Sequence, residues 1–163
     1  MANEIQKVDY SGRTVDLLLL KTILNVPVVN KRVDLDVAGE PMIVTGIEKM
    51  AQRFVVAFIN AIGSTKFRDG HGTDLIPLAA RGMIYNMATL ETAAAAANLS
   101  ALNQLMEADG EAEDTPDDER ITESEVENLE FSQENARVRI SIRLTTAAGK
   151  SYVYVIPVPV GVH

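Results

Sequence analysis

The sequence predicts an α+β domain: two main helices packed on a small, mostly antiparallel sheet that closes with a C-terminal β-hairpin. Three observations carry that expectation. Ile47, Met50, Ala51, Phe54, Val55 and Phe58 fall on one helical stripe. Residues 137–145 alternate without a break, with Val138, Ile140, Ile142 and Leu144 on one face and Arg137, Arg139, Ser141, Arg143 and Thr145 on the other. At 163 residues and 47% hydrophobic, the chain is long and apolar enough to bury a core as one domain.

The elements follow in order. Residues 1–30 read as an N-terminal arm and first strand. Ser11-Gly12 is a break, residues 15–20 are short and apolar, and Pro27 bars a central strand position around it. Residues 31–160 read as a single α+β domain. It opens with a half-buried strand at 31–37, where Val33, Leu35 and Val37 oppose Arg32, Asp34 and Asp36. Gly39-Glu40-Pro41 ends it.

Thr45 and Glu48 have the spacing of a capping box for the first helix. Gln52, Arg53 and Asn60 are expected to face water, and Gly63 fits the position just past the helix end. A turn-rich loop at 66–74 leads into a second helix. Its apolar spacing runs through Ile76, Ala80, Met83, Met87, Leu90, Ala94, Ala97, Ala101 and Leu105, either unbroken to about Ala108 or interrupted near Asn98-Leu99-Ser100. The five alanines from Ala93 to Ala97 favour helix and leave a small-residue surface. Ala147-Ala148-Gly149-Lys150 turns the chain from residues 137–145 into a return strand at 152–156. Pro157 and Pro159 bar the last residues from a central position, because each lacks a backbone donor.

The net charge of −8 is concentrated in one place. Between Glu107 and Glu127 lie eleven acids and the single base Arg120, so the rest of the chain is close to neutral. Residues 109–127 therefore read as a flexible acidic insertion. The remainder offers no basic stripe for nucleic acid.

Cysteine is absent, which excludes a disulfide framework, a thiol nucleophile and a thiolate metal site. No apolar run approaches the ~20 residues that span a bilayer. The leucine run at 17–20 follows Asp9, Arg13 and Asp16, which does not suit a signal peptide.

The search for chemistry ends without an active site. His71 and Asp74 sit three apart in the glycine loop, but Asp69-Gly70 and Gly72 are turn residues and Asp74 is placed to cap the next helix. A metal site needs at least three converging ligands. Gly70-His71-Gly72 does not continue into a dinucleotide fingerprint, and no phosphate-binding loop occurs. No catalytic residue, cofactor-binding residue, metal ligand or cofactor is assigned.

Thr45-Gly46-Ile47, Gln52-Arg53-Phe54, Gly63-Ser64, Phe67 and Gly72-Thr73-Asp74-Leu75 together resemble the opening motif of the phage baseplate wedge family. Its members are small proteins of contractile tails, also called sheath initiators, that once carried a lysozyme-like label. The likeness covers roughly residues 35–155. The Glu-Pro-Arg segment common in that family is replaced here by Glu134-Asn135-Ala136-Arg137, which leaves Arg137 to make the docking contact.

The resemblance implies a structural virion protein rather than an enzyme. It implies assembly in the host cytoplasm and residence in the tail baseplate. It implies baseplate wedge proteins and tail sheath subunits as partners, with the tail tube as a further contact, and several copies, six by the symmetry of such tails. Nucleic acid and membrane are not among the expected partners. A free strand edge templates neighbouring chains by pairing. Arg137, Arg139, Arg143, Tyr152, Tyr154, Val158 and Val160 are the candidate partner-binding residues. The alternatives are another tail or neck adaptor and, more distantly, a cell-wall hydrolase.

Overall fold

The computed structural model describes residues 16–17, 21–24, 30–34, 43–64, 70–112, 114–132 and 137–159. The chain runs β1 (Asp16–Leu17), β2 (Lys21–Leu24), β3 (Asn30–Asp34), β4 (Ile43–Val44), α1 (Gly46–Ile59), α2 (Leu75–Ala80), α3 (Met87–Glu111), β5 (Ile121–Ser132), β6 (Arg137–Thr146) and β7 (Ser151–Pro159). This is an α+β fold.

The main sheet has the order β2-β3-β7-β6-β5, and β1 pairs with β4 in a separate two-stranded ribbon. All neighbours are antiparallel except β3 and β7, which run parallel and match Asn30 with Val153, Lys31 with Tyr154 and Arg32 with Val155. Strand alternation selects the buried face. Val138, Ile140, Ile142 and Leu144 of β6 stand opposite Val158, Ile156, Tyr154 and Tyr152 of β7. All but the half-buried Tyr152 are closed to solvent. The helices cover this face: α3 lies along β5, α1 packs on α3, and α2 touches β7 and α3.

The helical stripe of α1 is buried as its spacing requires, and Phe54 stacks on Phe58 with ring centroids 6.0 Å apart. Its N-terminal end differs from expectation. Thr45 makes no side-chain cap. The first amide of the helix, that of Gly46, instead donates to Glu119 Oε1 at 3.0 Å. A carboxylate 73 residues away in the sequence thus occupies the positive end of the helix. Gln52, expected on the wet side, is buried.

The second helical pattern is two helices. Arg81 and Gly82, the latter at φ +70°, end α2. Asn86 then caps α3 in a box with Thr89: the Thr89 amide donates to Asn86 Oδ1, and the Asn86 amide donates to Thr89 Oγ1. Asn98, Leu99 and Ser100 lie inside α3 rather than at a break. Asp74 makes no side-chain cap for α2, whose Leu75 amide meets Thr73 Oγ1 instead.

The acidic segment is not a loop along its length. Residues 109–111 finish α3, residues 114–120 form a turn, and residues 121–127 begin the longest strand of the sheet. Two of its acids provide the physical reason, because they are buried with cationic partners. Glu119 Oε2 receives Lys49 Nζ at 2.7 Å. Asp109 pairs with Arg53 at 2.7 Å and accepts the Ile121 amide at 3.2 Å. The segment is thereby fastened to α1. A count of like charges does not reveal that anchorage.

Candidate interaction surfaces

The glycine loop is a structural joint. The Gly72 amide donates to Gln104 Oε1 at 2.9 Å, and its carbonyl accepts from Gln104 Nε2 and Ser100 Oγ, each at 3.0 Å. Gly72 adopts φ +111°, and a Cβ there would lie 2.7 Å from the Ala61 carbonyl oxygen. Thr73 Oγ1 donates to the Phe58 carbonyl at 2.7 Å. One carboxamide on α3 thus holds both backbone groups of the loop. Asp74 is exposed, and no group of three or more His, Cys, Asp or Glu able to hold a metal occurs among the described residues.

The partner-binding residues read from the sequence separate into three groups. Arg139 and Arg143 are exposed on the outer face of the sheet. Arg139 pairs with Glu130 at 3.3 Å, and Arg143 Nε donates to Glu127 at 2.7 Å, with its Nη2 on the same carboxylate. These guanidinium groups therefore already have acidic partners on the neighbouring strand β5. Tyr154 and Val158 face the core, and Tyr152 is half-buried beside them, so these three do not form an outward binding surface. The reason is register: Tyr152, Tyr154 and Val158 share the side of β7 that faces the helices. Burial, with a smaller contribution from Tyr152, pushes the Tyr154 phenol well above its ordinary pKa. Its hydroxyl has no hydrogen-bond partner among the described residues. The backbone of Arg137 pairs with Ser132 and Pro159. Val160 and the side chain of Arg137 lie outside the described residues.

The free edge is also elsewhere than expected. β6 is the centre of the β5-β6-β7 meander, and Val153–Val155 of β7 is covered by β3. Neither strand of the expected hairpin offers the long open border. That border belongs to β5, whose outer side pairs with no other described strand. β5 runs for twelve residues and is broken by register shifts at Ile121/Glu123 and Val126/Asn128. It carries exposed Glu123, Glu125, Glu127 and Glu130. Irregularities and charges of this kind are how sheet edges resist indiscriminate pairing.

A second surface was not read from the sequence. A groove of about 630 Å³ lies between the 81–86 connection and the first half of α3. Ala88, Thr92, Ala93, Ala96 and Ala97 form its α3 wall. On its other side stand Ile62, Met83 and Tyr85, which are 49%, 52% and 61% exposed. Farther along α3, Leu99 and Met106 are 59% and 48% exposed.

No family model, no curated protein and no solved structure matches this chain.

Proposed function

We propose that this chain is a structural subunit of a contractile phage-tail baseplate, a sheath initiator or wedge protein that templates neighbouring chains by strand addition. The sequence resemblance supplies the class. The observation that supports the mechanism is the open border of β5, a twelve-residue strand whose outer amides and carbonyls are a template for a further strand. Glutamates along β5 favour an incoming strand bearing Lys or Arg and disfavour self-association edge to edge. The baseplate wedge holds the body of the domain, and sheath subunits provide the added strand. Arg139 and Arg143 contribute by fixing Glu130 and Glu127 across the sheet rather than by reaching a partner themselves.

The test is assembly of tails without this chain. Electron microscopy is expected to show a baseplate and bare tube with no sheath. A full-length sheath on such tails overturns the reading. So does lysis of cell-wall substrate by the purified protein.

A further inference from the structure

The exposed side of α3 carries an apolar seam. Ala88, Thr92, Ala95, Leu99, Leu102 and Met106 follow one another at intervals of four, three, four, three and four residues. That is the spacing of coiled-coil contact positions. All six are solvent-exposed except Leu102, which is half-buried. The core-facing stripe of the same helix is a different set: Leu90, Ala94, Ala97, Ala101 and Leu105. α3 is therefore apolar on two sides while only one is covered by the described residues of the domain. A helix apolar all round is ordinarily a buried helix.

The seam is graded in size. Its first half is small (Ala88, Thr92, Ala95) and its second half is large (Leu99, Leu102, Met106). An antiparallel pair of such helices sets Ala88 against Met106, Thr92 against Leu102 and Ala95 against Leu99, so every large side chain meets a small one. A parallel pair sets Met106 on Met106 and leaves the alanines facing a gap.

The charges agree with the antiparallel arrangement. Glu107 and Glu111 stand at the C-terminal end of α3, while the N-terminal end has the positive helix pole with exposed Arg81 just before it. Antiparallel pairing brings unlike ends together, and parallel pairing superposes the glutamates. Met106 of the incoming helix also arrives at the groove, beside Ala88, Thr92, Met83 and Tyr85. Met83, Tyr85, Leu99 and Met106 are each close to half exposed or more, so large apolar side chains are available along this face.

We propose that this face pairs with the same face of a second copy of the chain, α3 against α3 antiparallel, in a two-fold symmetric dimer. The seam is self-complementary, as an isologous contact must be. This pairing involves neither β5 nor any tail component and stands apart from the functional reading above.

The test uses the purified full chain. Sedimentation at tens of micromolar is expected to give twice the chain mass, and Leu99→Glu or Met106→Glu is expected to raise the dissociation constant at least about a hundredfold, since each change enters the interface twice. Both side chains are half exposed, so circular dichroism of the variants should match the parent. Orientation is read by cross-linking, which the absence of native cysteine makes unambiguous. Mixing Ala88→Cys chains with Met106→Cys chains under oxidation is expected to yield the mixed disulfide dimer in preference to either self-dimer. A monomer at these concentrations overturns the proposal. A dimer unaffected by Leu99→Glu, or a preference for Ala88→Cys self-dimers, overturns it as well.

Discussion

Glu119 is the residue on which the acidic segment turns. Its two oxygens serve two masters on α1, the Gly46 amide and the Lys49 ammonium, and the carboxylate is almost fully enclosed. Glu119→Gln removes the buried negative charge that faces Lys49 and is expected to cost ~3 kcal/mol, measured by urea unfolding. Gly72→Ala places a Cβ against the Ala61 carbonyl at a φ that alanine avoids, and should cost more than ~2 kcal/mol in the same assay. Tyr154 gives an alkaline signature. Its phenol is held neutral in the folded protein above the pH at which the unfolded phenol, with a pKa of about 10, would ionise. Stability is therefore complete below that value and falls as pH rises beyond it. Tyr154→Phe is expected to remove this alkaline loss while leaving neutral-pH stability unchanged or slightly raised, because the hydroxyl has no partner among the described residues to lose. Thermal melts of both proteins across pH 7 to 11 read the difference.

At the scale of elements, periodicity was legible where one face is dry and the other wet. The stripe of α1, the alternation of β6 and the turn at Gly149 stand where the residues put them. What sequence could not supply was long-range partnership. Thr45 has the right chemistry for a cap, but Glu119 takes that place from across the fold. Residues 121–127 have the composition of a solvated loop, yet Val126, Leu129 and Phe131 are partly buried against the core and draw β5 onto β6. The seam on α3 was present as a three–four spacing, but it was hidden by a neighbouring stripe of the same period that serves the core. The hairpin is visible in the sequence, but its enclosure between β5 and β3 is not, so the sequence points to β6 and β7 for the open border that β5 provides. The corrected position has its own consequence: reversing charge with Glu123→Lys and Glu125→Lys on β5 is expected to prevent sheath attachment in assembled tails without altering the melting temperature by more than a few degrees. Electron microscopy and calorimetry check the two halves of that expectation.

For the whole molecule, one core joins three helices and the sheet. Tyr154, Ile156 and Val158 belong to it as fully as Phe54 and Leu90 do. Removing residues 152–163 is therefore expected to abolish cooperative unfolding altogether rather than to trim an appendage, and limited proteolysis should show the helices digested with the rest. The parallel match of Asn30 with Val153 bears on the order in which this core closes. The β5-β6-β7 meander is built from neighbours and needs only short loops to form. β3 must wait for β7, which is synthesised after all three helices, β5 and β6. During synthesis β3 is thus held without this mate until β7 has emerged, an interval in which a chaperone has time to act.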